Sequence, residues 1–368
     1  MNVQKIGFIE AVFLICIVMA NEILLNIPEN IIFSTGSSAW VNVIFISIIA
    51  IAFTLLICKL FKKFAGKDIL DICEIVGGKW LKLIIGIAYI GLFLLISSTY
   101  LKYFSESLKI IYFPQTPVFI ISGIFLASII LANKLGFKVI CSMNLGIVPL
   151  VLFSILVVFI SNSNFFVPQR LFPILGYGID ETFFKGATNL FAFGGIAFLY
   201  FIMPILKDCN KFKKISVISI IVSSIYLFLS VVTLLLVFSF AYDANQTLAI
   251  YSLSRLVEFG RFLQRTDALF ILFWILLVIS YLSISMAFSI NIFKKITNIS
   301  NPKAIIYSFA VLMFTIGLFS SNIAFAKEIQ GTVYRYFELI LVYGISLVLL
   351  IIANLKNLKS IKKDVHNL

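Results

Sequence analysis

Apolar residues gather along most of this chain in runs of roughly twenty, the length of α-helix that spans ~30 Å of hydrocarbon. Ten runs can be read: Phe8 to Phe33, Val41 to Phe61, Leu81 to Tyr100, Val118 to Ala132, Met143 to Ile160, Phe183 to Leu206, Ile215 to Phe240, Ala268 to Phe293, Ala304 to Phe319 and Tyr336 to Ala353. The pattern predicts an all-α, polytopic membrane protein with ten transmembrane helices in one domain. Its halves of five cover about 8–160 and 183–353, and a cytoplasmic tail at 354–368 follows.

Two runs are interrupted, and they open the two halves. The first carries Asn21, Glu22, Asn26 and Pro28; the sixth carries Asn189, Gly194, Gly195 and Pro204. Breaks at matching positions predict a five-plus-five inverted repeat with broken helices 1 and 6, because freed backbone groups at membrane depth need a wet or ligand-filled cavity to satisfy them. The simpler alternative for Gly194 and Gly195 is close packing of two helices.

Glu22 is the most demanding residue of this set. A carboxyl group in the bilayer costs several kcal/mol on most scales, so it faces a cavity, finds a partner or carries function. No lysine or arginine is expected at its depth, which leaves a ligand contact or a neutral structural acid bonded to a carbonyl. Glu29, nearer the outer face, reads as an interfacial acid. Arg265 and Asp267 read as an outer-interface anchor and a helix N-terminal acid.

Composition removes the competing classes. Of 368 residues 61% are hydrophobic and 12% charged, which leaves no large soluble domain. With both termini placed in the cytoplasm, the inner loops, tails and adjoining helix ends hold 20 lysines, and the outer regions hold nine basic residues including all five arginines. The net charge of +13 therefore follows topology and contact with anionic lipid headgroups, and no nucleic acid partner is expected. The first run is too long for a signal-peptide core and reads as a retained span.

Catalytic sets are missing. Cys16, Cys58, Cys73, Cys141 and Cys209 form no CxxC pair, and the only histidine, His366, lies in the tail. No enzyme, metal or cofactor is expected. The longest outer connection, Ala241 to Thr266, interleaves Leu248, Tyr251, Leu253 and Leu256 with polar residues, as an amphipathic helix over the outer mouth would.

Several stretches carry a family resemblance. They are FAGKDILDICEIVGGKWL (Phe64 to Leu81), Thr116-Pro117, LGFKVICSMN (Leu135 to Asn144), FPILGYGI (Phe172 to Ile179), FGGIAFLYFIMP (Phe193 to Pro204) and FGRFLQRTDALFILFW (Phe259 to Trp274). In this order, over nearly the whole chain, they resemble the spore germination permeases, the B subunits of endospore nutrient-germinant receptors. That family is similar to the amino acid, polyamine and organocation transporter superfamily. The resemblance implies binding of a small nutrient such as an amino acid, action with germinant receptor A and C subunits, and residence in the inner membrane of the endospore. It also implies a glycine-rich break in span one, where this chain has Asn21-Glu22-Ile23 instead, so an amine or polyol ligand competes with a plain carboxylate.

The candidate ligand contacts are Asn21, Glu22, Ile23 and Asn26 from span one and Phe193, Gly194 and Gly195 from span six. Matching of depth adds Ser97, Ser98 and Tyr100 from span three and Ser280 from span eight. Serines at such positions commonly bond their own backbone instead. The leading function is a germinant-sensing receptor subunit. A proton-coupled amino acid permease, with Glu22 relaying the proton, is the alternative, and a subunit that only assembles partners is a third.

Overall fold

The computed structural model describes residues 5–239, 248–257, 266–299, 302–319, 325 and 328–366. Among them the regular structure is helical, apart from one isolated parallel bridge between Ile6 and Leu206. Eight helices are long and apolar enough to cross a membrane; a ninth candidate is the bent pair Asp180–Phe193 and Ile196–Ile205, and a shorter apolar helix covers Ile305–Phe319. These helices overlap the apolar runs, and the candidate Ile27–Phe64 takes in the end of the first run together with the second.

The first run is two helices, α1 (Phe8–Leu25) and α2 (Ile27–Thr35). The break lies at Asn26, with φ −160° and ψ 4°, four residues after Glu22. Its cause is Pro28 in the first turn of α2. A proline there lacks an N–H, and its ring would strike the carbonyl four residues earlier in a continuous helix. Asn21, Glu22 and Ile23 therefore sit in regular helix just ahead of the break.

After α3 (Ala39–Phe61) comes α4 (Ile69–Ile111), which bends at Gly78, where φ is +72°, a conformation that favours glycine. The helix continues eleven residues past the predicted Tyr100. Helices α5 (Val118–Leu135) and α6 (Phe137–Ser161) follow.

The sixth run unwinds instead of stopping. A π-turn at Asp180–Phe184 passes into 3-10 helix at Lys185–Phe193, and the chain then bends by 44° into α7 (Ile196–Ile202). Gly194 and Gly195 keep right-handed backbone angles. Glycine is needed there for space. A Cβ on Gly194 would lie 1.7 Å from Glu338 Oε1, and one on Gly195 would lie 2.7 Å from Met19 Cε.

Helix α8 (Phe212–Val237), the short α9 (Ala249–Leu256), α10 (Thr266–Thr297) and α11 (Pro302–Phe319) follow. The last span, Gln330–Lys356, begins before the predicted Tyr336 and alternates π and α turns. Burial separates inner helices from outer ones: 78% of α1 is buried against 22% of α5. Helix α1 is enclosed by α6, α8 and α10, so its polar residues face protein and not lipid.

Both ends are tied. At the lysine-rich end the Ile6 N–H donates to the Ile205 carbonyl at 2.8 Å and the Lys207 N–H to the Ile6 carbonyl at 3.0 Å, joining the N-terminal segment to the end of the sixth run. Lys138 pairs with Glu10 at 2.7 Å, and Lys295 reaches Asp68 at 2.7 Å and Asp71 at 2.6 Å. At the opposite end Asn42 Nδ2 donates to the carbonyls of Thr182 at 2.7 Å and Gly186 at 3.0 Å, and Asn189 Nδ2 donates to Asn42 Oδ1 at 2.9 Å.

Candidate functional site

The two broken runs meet the middle of α4 and the last span around a small closed cavity of about 10 Å³. That is room for one water-sized group. Glu22 and Ile27 come from the two sides of the first break, Ile96 and Tyr100 from α4, and Phe191 from the unwound sixth run. The last span adds Gln330, Tyr334 and Glu338. Two carboxyl groups therefore share one chamber.

A hydrogen-bonded line crosses its wall. Asn26 Nδ2, at the break, donates to Gln330 Oε1 at 2.7 Å, and Gln330 Nε2 donates to the Tyr100 hydroxyl at 2.6 Å. Tyr334 and Thr99 join their hydroxyls beside it. The side-chain amide of Asn26 thus ties the break to two other helices, while its backbone N–H still bonds the Glu22 carbonyl and its own carbonyl accepts from the Asn30 N–H. Several polar atoms remain without a protein partner: Glu22 Oε2, Asn26 Oδ1 and Arg335 Nε are buried and unbonded. Of these, Glu22 Oε2 belongs to a residue of the lining, where a buried acceptor without a partner leaves a place for a donor to bind. The Arg335 guanidinium stacks over the Phe191 ring, 4.6 Å from its centre.

The residues singled out from sequence divide clearly. Glu22 and Tyr100 line the chamber, Asn26 and Gly194 touch its wall through Gln330 and Glu338, and Gly195 receives Met19. Phe193 and Ile23 are buried core residues, the Phe193 carbonyl accepting from the Tyr343 hydroxyl at 3.3 Å. Asn21 is fully buried with both amide atoms unpartnered, outside the chamber's lining. Ser97 and Ser98 are not brought to the chamber; they donate to their own backbone at Phe93 (2.5 Å) and Leu94 (2.6 Å). Ser280 is buried away from the lining, while its neighbour Tyr281 packs against Tyr100 with ring centres 5.3 Å apart.

Gln330, Tyr334 and Glu338 are the additions from structure. The cost argument that singles out Glu22 applies equally to Glu338, which lies two residues inside the predicted start of the tenth run. At a run's end an acid reads as interfacial, and the last span begins six residues earlier than the pattern suggests.

Glu29 requires a correction. It is buried and not interfacial, and its Oε1 accepts the Ala249 N–H at 2.8 Å, capping the first turn of α9. The short helix of the long connection is therefore fastened to the half-helix after the first break. Tyr251 of α9 and Tyr112 at the end of α4 donate to Asp267 at 3.4 Å and 3.3 Å. Arg265 and the start of the Phe259 to Trp274 stretch lie outside the described residues, as does part of the Ala241 to Thr266 connection.

A much larger cavity, about 460 Å³, opens at the lysine-rich end. Its wall mixes Asp68, Asn291, Lys294 and Lys295 with Phe201 and Phe288. Burial raises the Asp68 carboxyl above its ordinary value, and Lys295 opposes that shift.

Comparison with known proteins bears on this geometry. The profile of a family described as "Spore germination protein" matches residues 5–325. Spore germination protein GerQB of Bacillus cereus is 25% identical over 258 residues, 68% of this chain and 69% of the relative. Spore germination protein B2 of Bacillus subtilis (strain 168) is 21% identical over 272 residues, 74% of each chain. Among solved structures, a Na⁺-coupled sialic acid symporter in a substrate-bound outward-open state superposes with a TM-score of 0.65 at 14% identity, covering 91% of this chain and 78% of its own. The manganese transporter of Eremococcus coleocola gives 0.53 at 14% identity, covering 93% and 76%. These two likenesses establish a transporter-type fold.

Proposed function

Because the chain belongs to the spore germination protein family, we propose that it is a germinant-sensing membrane receptor subunit that binds a small nutrient in the chamber between the two broken helices. One observation carries this reading above the others. The Asn26–Gln330–Tyr100 line joins the break of the first run to α4 and the last span, so whatever occupies the chamber acts on three elements at once.

Binding there favours one arrangement of these elements over another. A ligand shifts such an equilibrium only by its difference in affinity for the two arrangements, and a chamber this small in the closed form supplies that difference through size. Glu29 extends the coupling to α9 on the far side of the break. In this proposal the chain crosses the membrane ten times as an inverted five-plus-five repeat, with both termini in the cytoplasm. It sits in the inner membrane of the endospore, in contact with lipid, and signals through A and C partner subunits.

The test uses the purified full chain and a panel of amino acids, sugars and salts. At least one nutrient should raise the melting temperature, with the effect lost in Gly194→Val. A panel without any binder would refute the reading. The transporter-type fold keeps a proton-coupled amino acid permease as the second reading. Accumulation of the bound solute by vesicles carrying the chain alone would favour it.

A further inference from the structure

We propose that Glu22 and Glu338 together form a seat for the ammonium group of an amine-bearing ligand, which deepens the reading above and rests on it. The two acids come from opposite ends of the chain, 316 positions apart, and line the same chamber. Each is 4% exposed. Two ionised carboxylates in a dry space repel strongly, so a positive charge between them would be held by both.

The surrounding groups favour a donor over an acceptor. Glu22 lines the chamber, and its Oε2 is buried without a protein partner. Asn26 Oδ1, at the wall, is also unbonded. One of the two amide hydrogens of Asn26 goes to Gln330, and one of the two of Gln330 goes to Tyr100. Glu22 Oε2 and Asn26 Oδ1 are two acceptors that call for hydrogen-bond donors, and an ammonium group brings three with its charge. A ligand carboxylate would meet two acids of its own sign, and a sugar hydroxyl would donate to them without bringing a charge.

Size and aromatic character agree. The closed space holds one water-sized group, and a primary ammonium head is that size while the body of a nutrient is not. Phe191, Tyr100 and Tyr334 line it with ring surface, which attracts cations. No third Asp, Glu, His or Cys joins the pair among the described residues. The basic group recorded beside the wall, Arg335, stacks on Phe191 and is not part of the lining.

The experiment is thermal unfolding of the purified full chain with four probes: n-propylammonium chloride, sodium propionate, n-propanol and sodium chloride. Propylammonium should raise the melting temperature in a saturable way that the other three do not reproduce. Losing one charge-assisted bond in Glu22→Gln or Glu338→Gln should weaken the half-saturating concentration by about tenfold. Equal stabilisation by propionate, propanol or sodium chloride would overturn the ammonium seat, as would an unchanged response in both variants. If one variant fails to fold, the other and the wild-type probe comparison still decide. Should another nutrient bind in a Gly194-dependent way while propylammonium has no effect, the seat falls and the ligand chamber stands. If no small solute acts, both fall together.

Discussion

The molecule has two cavities, and they differ in every respect that matters for function. The one at the lysine-rich end is large, about 460 Å³, open, and walled by an ion cluster in which Lys295 already satisfies Asp68 and Asp71. The one at the helix breaks is about 10 Å³, is lined by buried residues including Glu22 and Glu338, and leaves Glu22 Oε2 without a protein partner. Volume here reports which end of the chain is less tightly packed. Two buried acids in one space are what set the smaller cavity apart.

The largest effect that would break this contrast is Gly194→Val. Its side chain would take the position of the Glu338 carboxyl, so we expect loss of nutrient binding and destabilisation of about 1–3 kcal/mol from overpacking, read by binding and by thermal unfolding. Gly195→Ala should be milder, because the atoms in its way are the flexible end of Met19.

Asn26→Ala comes next. It leaves Gln330 Oε1 without its recorded donor and the Tyr100 end of the line unanchored, a loss of about 1–3 kcal/mol together with weaker binding, measurable by denaturation and by ligand titration. Glu29→Ala should loosen α9 by about 0.5–2 kcal/mol, seen as faster amide exchange over 249–256 with the chamber's affinity less affected. Lys295→Ala should have the smallest effect on ligand binding, near zero, because it belongs to the other cavity.

Much of this was legible in the residues. Ten apolar runs, the glycines of the sixth and the acid of the first were each readable from hydrophobic length and the cost of polar groups in lipid. Depth matching worked less well because depth is not direction. Ile96 and Tyr100 are four apart and share the chamber face of α4, whereas Ser97 and Ser98 are turned away by the helix and bond their own backbone. Gln330 and Glu338 escaped for a different reason. The π turns of the last span carry polar residues within its length, so its apolar pattern starts late and its acid looks peripheral. Glu29 has a partner 220 positions away, and no local pattern reveals that.

The most direct measurement is a structure of the full chain with the nutrient that the binding panel returns. Ligand density between Glu22 and Glu338, against Tyr100 and Phe191 with the breaks moved apart, is the predicted result. Density in the cavity beside Lys295, with the chamber at the breaks still closed, would contradict the account.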